Sequence, residues 1–434
     1  MVPMSELSEQ RSVAPEPAEA HRGPRRTRRI IAAVVTVVIV AGLATYASLA
    51  LVAPAPGATV TATSPVVAVP AAASFAVPTG GSSAVSVTGA EQFPGTTGTD
   101  GILATGGPTE PRPIASITKL IAALVILDAN PIGAGEDGPT LTFSEADADL
   151  YDEYYVLGAT IQPMKAGARM TLHDALEVML VTSATNYAEA VSRWAFGSRS
   201  SFRAATAAWL SANGIANTTI VEPTGVDAGN TSTPTDLIAI GRLALANPVI
   251  AEIVASPVLD VPGLSGVNTN TLVGEHGVTG LKTGTGDEAG ACLLYSAVID
   301  VGAGQPITVI GAVLGGGNRN TVADAVVALL DSIKAGFHSV PVVARDDELG
   351  SYTTPWGDEA TVVAGEGASL FTWSDMPITS SVELAPVTAA NDGDEVGTVT
   401  FTAGEQTVTV PLLLAGETTE PDGWWRLTHP AELF

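Results

Sequence analysis

The chain has one cysteine, Cys292, in 434 residues, which excludes an intramolecular disulfide. It sits in the apolar run Ala291-Cys-Leu-Leu-Tyr295 and reads as an inert core thiol. Positive charge is also scarce. There are 19 Lys and Arg against 45 Asp and Glu, a net charge of −26, and no basic patch exists beyond the N-terminal tail. That balance excludes nucleic acid as a partner and fits a soluble, acidic surface. The five histidines, at 21, 173, 276, 338 and 429, lie far apart and match no metal-ligand spacing, so no metal centre and no cofactor is expected. No internal repeat is present. A hydrophobic content of 46% excludes collagen-like and wholly disordered chains.

Residues 1–29 are polar and carry Arg22, Arg25, Arg26, Arg28 and Arg29. From Ile30 to Ala53 no charged residue occurs, a stretch long enough to cross a bilayer as a helix. Arginines before it and none just after it place residues 1–29 in the cytoplasm and the remainder outside. The stretch is long for a signal-peptide core, which favours an uncleaved anchor at 30–53, although cleavage near Ala50 would also export the chain. Residues 54–73 contain Ala, Pro, Val, Thr and Ser without charge and read as an extended linker.

A first domain is expected over 74–341. Phe75-Ala-Val-Pro, Ala84-Val-Ser-Val-Thr88 and Gly101-Ile-Leu-Ala-Thr105 look like strands. Helical periodicity then starts near Ser116, near Thr171, over 185–212 and at Pro234 through Leu243. Further strands are expected at 277–283, 291–294 and 307–314, and a closing helix at 321–333. Strands at both ends of this region with helices between them predict one sheet built from the two ends, with helices packed on it. From 342 to 434 helical periodicity stops and short alternating runs appear at 382–384, 396–401 and 408–413, which predicts a small β-rich domain. Trp424-Trp425 near its end reads either as a binding patch or as an anchor for that domain.

Three short motifs follow one another in order: Ser116-Ile-Thr-Lys119, Ser183-Ala-Thr-Asn186 and Lys282-Thr283-Gly284. A serine hydroxyl needs a base within hydrogen-bond reach to become a nucleophile. Ser116 and Lys119, three apart at a helix start, share one helix face. Lysine is protonated at neutral pH unless burial or nearby cations lower its pKa. In Gly280-Leu-Lys-Thr-Gly-Thr-Gly286, Lys282 offers a charge and Thr283 and Thr285 offer hydroxyls, a set suited to a carboxylate. Gly284 and Gly286 let a ligand approach the backbone.

The order of these motifs resembles that of the penicilloyl-serine transferases, a group that includes penicillin-binding proteins and serine β-lactamases. The contexts Pro113–Ile121, Leu180–Ala188, Thr224–Val226 with Ser232, Thr233 and Asp236, and Gly280–Leu293 are similar to the membrane-associated serine D-Ala-D-Ala carboxypeptidases, the low-molecular-mass penicillin-binding proteins, over about residues 75–340. Gly393–Gly397 and Trp424–Leu427 resemble that family's small β domain. The resemblance implies an α/β transpeptidase-like domain with an antiparallel sheet. It implies that Ser116 attacks the penultimate D-alanine carbonyl, Lys119 takes its proton and Ser183 relays a proton to the leaving D-alanine. Lys282, Thr283 and Thr285, with Gly284, would hold the terminal carboxylate, and the Ser116 and Thr285 backbone N–H groups would form the oxyanion hole. The implied partners are a peptidoglycan stem peptide ending in D-Ala-D-Ala, β-lactams as inhibitors, and the membrane through the N-terminal helix.

One departure stands out. The family's second motif is Ser-x-Asn, whereas here Thr185 stands at the third position and Asn186 one residue later. Either Thr185 replaces the amide or Asn186 supplies it through a local distortion. Two rival readings follow: a serine β-lactamase, for which Glu222 would be the deacylation base, and a catalytically impaired wall-binding protein or scaffold, which Thr185 motivates.

Overall fold

The computed structural model describes residues 25–434, so most of the tail expected at 1–29 lies outside the described residues. The apolar stretch forms one helix, Arg25–Val52, long and apolar enough to cross a membrane.

The central sheet has five antiparallel strands in the order Ala104–Gly106, Ser82–Thr88, Ile307–Gly316, Gly290–Ile299, Val278–Gly286. It is built from the two ends of the domain, as the pattern of runs predicts. Both its faces are covered, and the two-residue period of a strand divides the side chains between them. Along Gly290–Ile299, Cys292 and Leu294 join the core shared with the helical region, while Ala291, Leu293, Tyr295 and Ala297 join a second core on the opposite face. The first core contains the helices Thr118–Ala129, Leu172–Val181, Thr185–Phe196, Pro234–Ala246 and Pro248–Ala255. The last of these has no counterpart in the sequence reading. The Asn247 side chain accepts from both Val249 and Ile250 N–H and opens this helix. The second core takes the helix Arg319–Ala335.

The β-rich region begins at Phe337 rather than 342, directly after that helix. Its main sheet has six strands in the order Thr59–Ala62, Glu348–Thr353, Glu359–Ala364, Gln406–Ala415, Glu395–Ala403, Thr379–Leu384. Its core is continuous with the second core of the central sheet, so the two sheets share one apolar interior. The linker expected at 54–73 is corrected here. Thr59-Val-Thr-Ala62 pairs antiparallel with Gly350–Thr353, Ser380 Oγ donates to Pro65 O at 3.1 Å, and Ala73 N donates to Ser374 Oγ at 2.9 Å. The β-branched residues Thr59, Val60 and Thr61 fit a strand, and a lack of charge does not separate a linker from a strand. Phe75–Pro78 is not a strand. Phe75 instead stacks on Trp373, with ring centroids 5.7 Å apart.

The tryptophan pair splits its roles. The short helix Gly423–Thr428 packs on the end of the N-terminal helix, where the Tyr46 hydroxyl donates to Leu427 O at 2.8 Å. Trp425 stacks on His429 and meets Trp356 edge-on, whereas Trp424 is exposed. The buried Arg426 guanidinium donates to Ala53 O at 2.5 Å, to Pro421 O at 3.2 Å and to Glu420 at 2.8 Å.

Arg426 therefore ties the end of the N-terminal helix to the short helix Gly423–Thr428. Arg426→Ala should lower the thermal midpoint of the full chain in detergent, at a cost of about 1–3 kcal/mol for leaving buried acceptors unpaired. In a chain starting at residue 54 the same substitution should cost less, because one acceptor is already gone. Equal costs in both backgrounds would show that the bond to Ala53 contributes nothing.

Candidate active site

Two of the three motifs meet at one cleft, where the turn that holds Ser116 packs against the strand that holds Lys282. Ser116 lies in a single 3-10 turn, Ala115–Ile117, ahead of the helix Thr118–Ala129, rather than in the α-helix itself. Ala115 has φ of 45°, a strained value for a residue with a side chain, of the kind that clusters at functional sites. Two glycines make room for this turn. A Cβ on Gly284 would come within 2.5 Å of Ile114 O, and one on Gly225 would strike the Ala115 carbonyl. Gly284, expected to contact substrate, thus acts by having no side chain, letting the strand Val278–Gly286 pass over the nucleophile's turn.

Lys119 is fully buried. Its Nζ lies 2.8 Å from Ser116 Oγ and donates to Thr224 O at 2.6 Å. Burial lowers its pKa to about 7, partly opposed by the negative charge of Glu222. Its amine is therefore poised near neutrality, the range in which a general base works.

Lys282 is buried as well, and its pKa falls well below the ordinary lysine value, first through burial and then through the charges of Lys119 and Arg319. Its Nζ reaches Thr269 Oγ1 at 3.3 Å, and Thr283 Oγ1 donates to the same oxygen at 2.7 Å. Arg319 Nε donates to Thr285 Oγ1 at 2.9 Å. Lys282, Arg319, Thr283 and Thr285 thus form a cationic, hydroxyl-rich end to the cleft. The sequence reading missed Arg319 and Thr269. Arg319 had a signal: it is a cation in the first turn of a helix, against the helix dipole, directly after Gly315-Gly-Gly317 and Asn318. A charge placed where it costs stability is a functional candidate. Thr269 had none, because only the fold brings its loop to the strand.

Ser183 stands between the helices Leu172–Val181 and Thr185–Phe196, nearly buried, with φ of 63°. Asn186 is corrected. Its Oδ1 accepts from Gln162 N at 3.1 Å and its Nδ2 donates to Gln162 O at 2.8 Å. Each half of the amide bonds the backbone of Gln162, which makes Asn186 a strut for the 160–163 loop. Thr185 N donates to Thr160 O at 2.8 Å, which adds to the strut, and its hydroxyl takes no part in these bonds. Of the two options for the second motif, Thr185 in place of the amide is the one this geometry leaves open.

Glu222 is the hub of the loop facing Lys119. One oxygen accepts from Thr224 N at 2.7 Å and Thr224 Oγ1 at 2.6 Å. The other accepts from Gly225 N at 2.7 Å, Asp227 N at 3.3 Å and the Asn230 amide. It is neither an ordinary loop residue nor a free base, since both oxygens are occupied in holding the Thr224 carbonyl toward Lys119. This removes the observation that favoured the β-lactamase reading.

Acylation of Ser116 by benzylpenicillin should rise about tenfold per pH unit below about 7 and level off above, because only neutral Lys119 can take the proton. Single-turnover rates across pH 5–9 test this, and a flat profile would remove Lys119 as the base. In Glu222→Gln an N–H₂ would face donors only. Acylation itself should then slow, by about 10²-fold or more from misplacement near the reacting atoms. Unchanged acylation with a longer-lived adduct would instead make Glu222 the deacylation base.

A family model described as D-alanyl-D-alanine carboxypeptidase, peptidase S11, matches residues 96–317, just over half of the chain. A D-alanyl-D-alanine endopeptidase of Pseudomonas aeruginosa is 28% identical over 210 residues, which cover 46% of this chain and 64% of that protein, under two thirds of its length. The D-alanyl-D-alanine carboxypeptidase DacD of Salmonella typhimurium is 24% identical over 274 residues, covering 62% of this chain and 68% of that one. In fold, a peptidoglycan synthesis regulatory factor (PBP3) of Streptococcus pneumoniae superposes with a TM-score of 0.52 at 24% identity, covering 79% of this chain and 99% of that chain. With the nucleophile turn, its buried lysine and the Lys-Thr-Gly strand all inside the matched region, this chain belongs to the D-alanyl-D-alanine carboxypeptidase (peptidase S11) family.

Proposed function

We propose that the protein is a serine D-Ala-D-Ala carboxypeptidase, anchored in a membrane, that removes the terminal D-alanine from peptidoglycan stem peptides. The observation that carries this reading is Ser116 Oγ 2.8 Å from a buried lysine with a pKa of about 7, beside a second buried lysine and an arginine. Ser116 Oγ attacks the penultimate D-alanine carbonyl while neutral Lys119 accepts its proton. The developing oxyanion turns toward the backbone N–H groups of Ser116 and Thr285. Removal of one such donor typically costs about 10²–10³ in turnover. The proton reaches the leaving D-alanine nitrogen through Ser183 as the C–N bond breaks, and water then hydrolyses the ester on Ser116. Lys282, Arg319, Thr283 and Thr285 receive the terminal carboxylate, which supplies the negative charge this desolvated cluster lacks. β-Lactams would enter as mimics of the same peptide.

We further propose that the helix Arg25–Val52 remains attached and spans the membrane with the catalytic domain outside the cytoplasm. Support comes from the arginines that precede the apolar stretch and from the Arg426 bond to Ala53, which cleavage near Ala50 would put at a new chain end. The domain division at about 341 belongs to this reading, with the β-rich part acting as a support for the catalytic sheet.

Intact mass of the chain purified from membranes, with and without benzylpenicillin, tests both points. A stable adduct on wild type and none on Ser116→Ala is expected, with residues 1–53 retained in the mass. D-Alanine release from a peptide ending in D-Ala-D-Ala should follow the same pattern. In Arg319→Gln, KM for that peptide should rise about 10–100-fold, as for the loss of a charged hydrogen bond. Folded protein with neither adduct nor D-alanine release would leave the scaffold reading in its place.

A further inference from the structure

A cavity of about 470 Å³ lies where the central sheet meets the β-rich region, a volume in the range of small-molecule sites. It is well away from the cleft. Leu103, in its wall, directly precedes the edge strand Ala104–Gly106, whereas Lys282 lies on the strand at the opposite edge, four strand spacings or roughly 19 Å across the sheet. Phe75, Pro94, Met376 and Pro377 give the cavity an apolar wall. Two polar side chains break that surface. Trp373 is 4% exposed and packs against Phe75 and Phe337, with ring centroids 5.7 and 4.5 Å away, yet its Nε1–H has no acceptor among the described residues. The Nε1 edge of the ring faces Gly95, another wall residue, where a Cβ would stand 3.8 Å from the nitrogen. Without that Cβ the donor is open to whatever enters. Asp375 stands exposed on the rim, where Ser374 Oγ donates to its Oδ1 at 2.9 Å. It is the only charged residue of the wall, and no cation among the described residues pairs with it.

We propose that this cavity binds an N-acetylated amino sugar. The indole N–H of Trp373 donates to the acetamido carbonyl. The Asp375 carboxylate accepts from ring hydroxyls, and bonds to an ionised acceptor are the stronger kind. The C–H face of the sugar lies on Phe75 and the two proline rings. Charge and hydrogen bonding together select this ligand. A wall whose one charge is a carboxylate disfavours an anion, and a wholly apolar molecule would leave both the indole donor and the carboxylate without a partner. A neutral ring with one carbonyl and several hydroxyls serves both ends of the cavity. The sugar chemistry stands on the cavity alone. Only its source, the glycan strand of peptidoglycan, rests on the function proposed above. On that reading the cavity holds the polymer at a second point, at the sheet edge remote from Lys282, while the cleft works on the stem peptide.

The test titrates the full chain in detergent with N,N′-diacetylchitobiose, following the tryptophan indole N–H signals by NMR and the affinity by calorimetry. One indole signal, missing from the spectrum of Trp373→Phe, should shift saturably. Cellobiose, which lacks the acetamido groups, should bind about tenfold more weakly, as for the loss of one hydrogen bond. Trp373→Phe and Asp375→Asn should each weaken the chitobiose by about tenfold. Asp375 is exposed, so its variant reports on binding even where Trp373→Phe packs poorly. Trp424→Ala, an exposed tryptophan elsewhere, should bind as wild type. Ser116→Ala should also bind as wild type, and Asp375→Asn should release D-alanine from a short peptide at the wild-type rate, so that the sugar site and the catalytic reading fail or stand separately. Absence of a saturable shift, equal affinity for cellobiose, or wild-type affinity in both Trp373→Phe and Asp375→Asn would each overturn the proposal.

Discussion

The arrangement at the cleft depends on two lysines held out of water. Desolvating an ammonium costs several kcal/mol even after the protein relaxes. The fold arranges two, Lys119 and Lys282, close enough for each other's charge to matter, with Arg319 added. The cost falls hardest where it is useful. A lysine relieved of its proton is a base, and a cluster of cations without an anion is a site for one. The Glu222 loop tempers the effect, since its carboxylate raises the Lys119 value while its hydrogen bonds aim the Thr224 carbonyl at the same Nζ. The linkage has a definite sign. Lys119 has a folded value of about 7 against an ordinary 10.5, so the unfolded chain binds more protons in that window, and stability rises with pH across it.

The surrounding structure keeps those lysines dry. Strand Val278–Gly286 can lie against the nucleophile's turn only because Gly284 has no side chain. The helix Thr118–Ala129 buries nearly its whole circumference, which is how Lys119 comes to be enclosed on a helix that begins beside an open cleft. The loop that carries Thr269 covers Lys282, whose Nζ reaches Thr269 Oγ1. Each of these is a backbone-level fit, less tolerant of change than the surface of the β-rich region.

The legible parts of the sequence were those where chemistry is local. Ser116 and Lys119 are one helical turn apart, the Lys-Thr-Gly run carries its own geometry, and the apolar stretch from Ile30 needs only length and composition to be read. Arg319, Thr269 and the Glu222 network were less visible because their meaning lies in distant partners: Arg319 in Thr285, Thr269 in Lys282, Glu222 in Asn230 and the Lys119 charge. The 54–73 segment was misread for the same reason, since an edge strand is defined by the strand it joins. Asn186 looked like a substrate ligand by position, and only its partner Gln162 reveals the strut.

That docked segment has a mechanical consequence. A free linker of about 20 residues would let the active site wander some 25 Å from its tether. With Thr59–Ala62 paired into the β sheet and Arg426 bonded to Ala53, the segment after the N-terminal helix is held at both ends. On the proposed reading of the N-terminal helix as a membrane anchor, the fold itself would set the height of the cleft above the bilayer.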